Sequence, residues 1–279
     1  MVKIISDSTS DLSQDLLDRY NITLVPLIVR LGDQQYEDRV NITSEEIFRW
    51  SDSTKKAPTT ACANVWTIQE VFQKYLETYD EIVAFSISGK MSATGANMVE
   101  AAAEMGASDR IHVVDSQSLS TGIGLLVMEA AVMAQEGKSV EEINAYLEES
   151  IACRRIYFGI YNLKYAGKSG RIPSAAAFIG DKIGIKPIMK IWDHEITTAG
   201  KCRGEKKVVS KICDMAIADM EPGSEYQIEY GNDEKIKEEM AAKMTEKLGY
   251  GPTGYFQIGA EVAANAGPRI VGVAFDVKK

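Results

Sequence analysis

Histidine and cysteine are scarce in this chain, and that scarcity removes most ordinary metal and nucleophile chemistry. Among 279 residues there are only 2 histidines and 4 cysteines. His112 and His194 stand far apart, with no HxxxH pair and no Cys/His cluster at zinc-like spacing. Cys62, Cys153, Cys202 and Cys213 form no CxxC, so reduced thiols are expected rather than a disulfide framework. No acid–histidine–nucleophile arrangement is suggested by position. Long hydrophobic runs are missing too: nothing approaches the roughly 18 uninterrupted apolar residues of a membrane span. The opening MVKIISDSTSD has too short an apolar run for a signal peptide. A reducing cytoplasm is therefore the expected location. Nor is there an excess of positive charge. With 31 Lys+Arg against 40 Asp+Glu, the formal net charge is −9. Nucleic acid and anionic membrane surfaces are disfavoured as partners, because both are held by Lys and Arg. A local site for an anionic ligand remains compatible with that balance.

What is present reads as a globular protein of two domains. In the first half, short apolar runs alternate with helical patterns. Strands are expected at Val2–Ile5, Ile22–Val29, Ile82–Ile87 and Ile111–Val114. Helices are expected through Leu12–Leu17, Val65–Tyr79, Ser92–Met105 and Leu119–Gln135. Thr43-Ser44-Glu45-Glu46 and Ser139-Val140-Glu141-Glu142 have capping-box spacing and should each open a helix. Strands alternating with helices argue for a parallel sheet covered on both faces. Beyond Cys153 the pattern becomes α+β. Strands are expected at Ile156–Tyr161, Ile185–Trp192, Tyr226–Tyr230, Tyr255–Ile258 and Ile270–Val277, with helices at Glu205–Met220 and Asp233–Leu248. The fold class is thus α/β. An N-terminal Rossmann-like parallel-sheet domain (1–153) is joined to a C-terminal α+β domain (154–279).

Ligands of parallel sheets sit beyond the carboxyl ends of the strands. Attention therefore falls on Ser6–Asp11, Ser86–Thr94 and Asp115–Ser118. Gly167-Lys168-Ser169 ends like a phosphate-binding P-loop, but Asn162 stands where that loop needs glycine. Gly122-Ile123-Gly124 lacks the third glycine of a dinucleotide fingerprint and lies within a helical pattern. Asp7 and Asp11 would suit a stand-alone metal-dependent phosphotransfer or hydrolytic enzyme; equally, such residues after a strand cap the next helix. Small polar residues gather instead at three junctions: Pro58–Asn64, Ser86–Thr94 and Lys168–Pro173. Hydroxyls and free backbone N–H groups at a helix start make an anion site.

Taken in order, these segments resemble the DegV family of bacterial fatty-acid-binding proteins over essentially the whole chain. Asp7-Ser8-Thr9-Ser10-Asp11-Leu12 is similar to the family's opening motif. Pro58-Thr59-Thr60 is similar to the start of its Thr-Ser-Gln-Pro-Ser loop, and Ala61–Asn64 depart from the rest of it. Met91-Ser92-Ala93-Thr94 resembles a Leu-Ser-Gly-Thr pattern, with Ala93 for glycine. Asp115-Ser116, Ser169–Ile172 and Gly184–Ile188 also fit. Asn265-Ala266-Gly267-Pro268 matches a His-x-Gly-Pro pattern, with Asn265 for histidine. The resemblance implies a long-chain fatty acid in a buried pocket, its carboxylate held by the hydroxyls of Thr60 and Ser92 and the backbone amide of Ala93. It implies Arg171 and Asn265 in a supporting network, and a separate ATP-dependent fatty acid kinase as partner. That kinase would make the acyl phosphate for phospholipid synthesis. The protein would then be a carrier rather than an enzyme, with no catalytic residue, metal or cofactor of its own. A binder of a different small acid is the further alternative.

Overall fold

Period-two alternation in the first strands builds the first layer. A computed structural model describes residues 1–172, 178 and 184–278. Strands β1 (Val2–Asp7), β2 (Thr23–Val25), β6 (Glu81–Ser86) and β7 (Ile111–Asp115) form a parallel sheet in the order β2-β1-β6-β7. Ile5, Ile82 and Ala84 face one way, against Phe72 of α3 (Val65–Leu76) and Met98 of α4 (Thr94–Glu104). Ile4, Val83 and Phe85 face the other way, against Leu126, Val127 and Ala130 of α5 (Thr121–Gln135). Adjacent strand residues therefore feed two different cores.

Helix α5 is apolar nearly all round, the pattern of a helix buried on every side. It lies between the parallel sheet and a second sheet, contributed by the rest of the chain. That second sheet runs β10-β9-β8-β13-β11-β12. Its strands are β8 (Arg154–Ile160), β9 (Ile185–Trp192), β10 (Glu195–Arg203), β11 (Tyr226–Tyr230), β12 (Gly254–Gln257) and β13 (Ile270–Asp276). All its pairings are antiparallel except β11 with β12. Ile156, Phe158 and Ile191 face α5. Tyr157, Val273 and Phe275 face α8 (Val208–Asp219) and α9 (Glu234–Leu248). Small residues bring α5 close: a Cβ on Gly124 would stand 2.6 Å from the Ser10 carbonyl oxygen. Both expected capping boxes are present, at Thr43 before α2 (Ser44–Thr54) and at Ser139 before α6 (Val140–Cys153). The four cysteines are free thiols. Among the described residues, no helix is long and apolar enough to cross a membrane.

Ile22–Val29 is not one strand. Pro26 lacks an N–H donor and interrupts it. Thr23–Val25 joins the parallel sheet, while β3 (Ile28–Leu31) pairs with β4 (Gln34–Glu37) and β5 (Thr59–Ala61) in a separate three-stranded sheet. Two short helices also go beyond the sequence reading: α7 (Leu163–Ser169) and α10 (Ala260–Ala266). Pro173, the last residue of the third junction, lies outside the described residues.

The segment 7–11 fastens these parts together. Asp7 Oδ1 accepts from the Thr9 N–H (3.0 Å) and hydroxyl (2.6 Å), and its Oδ2 from the Ile87 N–H (2.6 Å). Asp11 Oδ1 accepts from the Gly259 N–H at 2.7 Å, and Oδ2 from the Ser120 hydroxyl at 2.6 Å. Asp38 Oδ1 takes the next two N–H groups of α10, Ala260 at 2.9 Å and Glu261 at 3.2 Å. The buried start of α10 is thus docked on two carboxylates from the first domain. Gly259 permits the approach, since a Cβ there would lie 2.9 Å from Asp11 Oδ1. Arg39 is the cation of this knot, binding Asp11 Oδ1 at 3.3 Å and the carbonyls of Leu12 and Gln257. Acids outnumber it, because Glu229 of β11 and Glu261 of α10 are buried as well. Burial pushes the Asp7 and Asp11 carboxyls up to about 6, and those of Glu229 and Glu261 up to about 8.

Asp38→Ala strands two buried N–H groups, each costing about 1–3 kcal/mol. The expected outcome is a stability loss of about 2–5 kcal/mol in urea unfolding, with a smaller loss for Asp38→Asn, which keeps an acceptor oxygen. A second outcome concerns pH. These four carboxyls hold protons that the unfolded chain releases near its ordinary carboxylate values, so the folded state is the more protonated one. The stability these four groups contribute is therefore full only below the unfolded values, about pH 4, and is lost as pH climbs to about 6 for the two aspartates and about 8 for the two glutamates. Melting temperatures across that range check it. The Glu229→Gln, Glu261→Gln double variant should flatten the upper part of the curve.

Candidate functional site

A narrow cavity opens where the two sheets diverge, beyond the carboxyl ends of β6 and β7, as parallel-sheet topology leads one to expect. Its volume is about 40 Å3. Its wall is mainly apolar, with Ile87 and Met91 after β6 facing Phe158, Ile191, Ile196 and Ile270 of the second sheet. Few polar groups reach it: Ser120, Arg171, Glu229, Glu261 and Asn265. An apolar slot with a small number of placed polar groups is what a ligand with a long apolar body and one polar end requires.

Ile191 and Ile196 are register partners across the β9–β10 hairpin, which forms one wall of the cavity. Asp193 and His194 at its tip take positive φ (51° and 67°), the backbone a tight hairpin turn needs. The tip is tied to the first domain: the Ser88 hydroxyl donates to the His194 carbonyl (2.8 Å), and Lys90 Nζ lies 3.0 Å from Glu195 Oε1. His194 Nδ1 stands 3.4 Å from Asp115 Oδ2. Serine, histidine and acid are neighbours here, but the serine bonds the histidine's backbone rather than its ring. His112, the other histidine, pairs with Glu81 at 3.0 Å on the parallel sheet.

Three of the five residues singled out from the sequence come together. Asn265, at the end of α10, uses its side-chain amide Nδ2 toward Thr60 Oγ1 (3.3 Å), the Glu261 carbonyl (3.0 Å) and Glu261 Oε1 (3.1 Å). Thr60 reaches this point because β5 pairs with β3, opposite Val29. Arg171 lines the same cavity just after α7 and donates to the Ser169 carbonyl at 3.1 Å. Ser92 and Ala93 follow Met91 at the start of α4 and do not line the cavity themselves. The Ser92 hydroxyl is 2.9 Å from Thr94 Oγ1 and accepts the Thr94 N–H at 3.3 Å. Ala93 is the N-cap at φ −81°, so alanine in place of glycine needs no left-handed backbone, and it offers no side-chain cap to the helix start. The two loops are nevertheless joined: Asn97 of α4 donates to the Ala63 carbonyl at 2.7 Å, just beyond β5.

The sequence reading missed Glu261, Glu229 and Asp38. Glu261 had a usable signal, being the one charged residue in the run Ala260–Ala266 and one helical turn before Asn265. Glu229 sits in a strand whose neighbours Gln227 and Ile228 are also buried, and strand alternation does not single it out. Asp7 and Asp11, the candidate phosphotransfer acids, have all four carboxylate oxygens engaged by Thr9, Ile87, Gly259, Ser120 and Arg39. Asp7 ties the end of β1 to Ile87 just after β6, and Asp11 links the segment after β1 to Gly259 before α10. Among the described residues, no group of three or more His, Cys, Asp or Glu is placed to hold a metal ion.

Comparison with known proteins bears on the whole chain. The DegV family model matches residues 1–278. A DegV domain-containing protein of Caldanaerobacter subterraneus subsp. tengcongensis is 32% identical, with 99% of each chain covered. A DegV family protein from Thermus thermophilus, described for its fatty acid binding, superposes with a TM-score of 0.90 at 30% identity over 99% of both chains. A stearic-acid-binding protein from Eubacterium ventriosum gives 0.90 at 27% identity, covering 100% of this chain and 99% of its own. Two sheets meeting over an apolar slot, and a family match from end to end, lead to one assignment: this chain belongs to the DegV family.

Proposed function

We propose that the protein binds a long-chain fatty acid in the cavity between its sheets and presents the carboxyl end to a partner fatty acid kinase. The observation that carries the reading is the slot itself: a narrow apolar wall that ends against Arg171, Asn265 and Glu261, with Thr60 linked through Asn265. The fatty acid binding of the Thermus and Eubacterium relatives supports it. In this reading, residues 1–153 supply the head-group loops and 154–279 complete the pocket. The carboxylate is held by the hydroxyls of Thr60 and Ser92 and the amide of Ala93, with Arg171 and Asn265 in support. Ser92 exchanges its bond to Thr94 for one to the ligand. The carrier works in the cytoplasm and leaves the phosphoryl transfer, which yields the acyl phosphate, to the kinase.

Tail and head divide the task. Once the walls part to admit the chain, burial of roughly 0.8 kcal/mol per methylene gives about 11 kcal/mol gross for some fourteen methylenes, before ordering costs. Hydrogen bonds to the head fix which end faces the loops. Hydroxyls and an amide satisfy a carboxylate without adding a permanent charge, so the cargo can still leave.

Native mass spectrometry of protein purified from bacteria should show a bound acid of roughly C14–C18; protein that arrives empty and takes up no added fatty acid would overturn the reading. Thr60→Val and Ser92→Ala should each weaken binding by roughly ten- to a hundredfold, matching about 1.5–3 kcal/mol for a hydrogen bond to a charged group. Unchanged affinity would remove that residue from the clamp. Loaded protein mixed with ATP and a fatty acid kinase should yield acyl phosphate, and neither protein should do so alone.

A further inference from the structure

Glu261 is buried on the cavity wall, one helical turn before Asn265. Its carboxyl oxygen Oε1 accepts from Asn265 Nδ2 at 3.1 Å, and that same nitrogen lies 3.3 Å from Thr60 Oγ1. A ligand carboxylate that reaches the Thr60 hydroxyl therefore arrives beside a second carboxyl group, the two sharing Asn265 Nδ2 as a neighbour.

Neither cation near this point, Arg39 or Arg171, is paired with Glu261. Asp38, on the connection between β4 and α2, accepts Glu261's own N–H at 3.2 Å. Asp7, which ends β1, and Asp11, just after it, add their negative charge to that of Asp38. Glu229 of β11 lines the same cavity. Arg39 is engaged by Asp11 and by the Leu12 and Gln257 carbonyls. Arg171 is exposed at the mouth and bonded to the Ser169 carbonyl. Thr60, from β5, contributes a hydroxyl and no charge. Among the described residues, no salt bridge reaches Glu261.

We propose that Glu261 is a ligand-contacting residue of the fatty acid site, present as a neutral carboxyl and sharing one proton with the carboxylate of the bound acid. The proposal rests on the fatty-acid reading above. Two carboxyl groups in one low-dielectric site hold a single proton between them, because both cannot ionise side by side. Burial has already pushed the Glu261 carboxyl up to about 8, with Asp38 reinforcing the shift and a hydrogen bond from Thr60 opposing it. At neutral pH the proton is thus in place before the ligand arrives. A fatty acid anion then binds without net proton exchange, as an O–H···O⁻ pair carrying one negative charge. Above that range the empty site is ionised, and each anion bound takes up one proton from solvent. Affinity then falls about tenfold per pH unit.

The test uses the delipidated full-length protein and the fluorescent acid cis-parinarate, between about pH 6 and about pH 9.5. Wild-type Kd should stay level to about pH 8 and then rise about tenfold per unit. Glu261→Gln, which keeps a hydrogen-bonding side chain and cannot titrate, should give a level profile. Calorimetry near pH 9 in buffers of different ionisation heat should find close to one proton taken up by the wild type and none by Glu261→Gln. If Glu261→Gln does not fold, the wild-type proton count decides alone. A wild-type Kd level across the whole range, or a slope and proton uptake that persist in Glu261→Gln, overturns the assignment of Glu261 while leaving fatty acid binding intact. Absence of parinarate binding at every pH overturns the fatty-acid reading and this inference with it.

Discussion

The structure depends on how a short helix is held at its buried end. Helix α10 presents three backbone N–H groups where water does not reach, and unmet donors there are costly. Asp11 and Asp38 accept all three. Both acids come before β6 of the parallel sheet, whereas α10 lies between β12 and β13 of the second sheet. The contact therefore does two things at once. It ties the domains together across 222 to 248 positions of sequence, and it orients Glu261 and Asn265 toward Thr60.

The same knot explains why the site is rich in acid and short of base. Helix N-termini favour negative partners, so Asp11 and Asp38 suit their place even where desolvation opposes their charge. Asp7 plays the corresponding part after β1, accepting from Thr9 and from Ile87, where the cavity wall begins. With Arg39 the cation built into this cluster, burial keeps the carboxyls of Glu229 and Glu261 neutral to about 8. The interior is thus less charged than its composition implies. A neutral interior suits the alkyl chain of the proposed ligand, and a neutral clamp the release that the proposed carrier role needs.

The fold was largely legible before the structure. Strong local signals located its elements: short apolar runs in β1 and β6 and capping boxes at Thr43 and Ser139. Strands Ile185–Trp192 and Tyr226–Tyr230 lie where their sequence places them. Failures came where local signals are weak. Ile22–Val29 looked continuous, but Pro26 divides it between two sheets. Thr59–Ala61 is a strand because β3 is beside it, and three residues carry no period of their own. Helix α10 has only seven residues, too few to stand alone in water, and its ends are satisfied by distant partners.

For the site, the sequence by itself determined the hydroxyls and free amides at the junctions near 60 and 92, and the family resemblance added Arg171 and Asn265. These are properties of side-chain type and of local helix starts, and the chain carries them wherever it goes. Only the tertiary structure decided which of them meet. It brought Asn265 to Thr60 and Arg171 to the same cavity, left Ser92 bonded to Thr94, and added Glu261. The physical reason is that burial and electrostatic environment belong to packed neighbours, not to sequence neighbours. Glu261 reads as a surface acid in the sequence; enclosed by Asp38, Asn265 and Thr60 it becomes a proton-holding wall of the pocket.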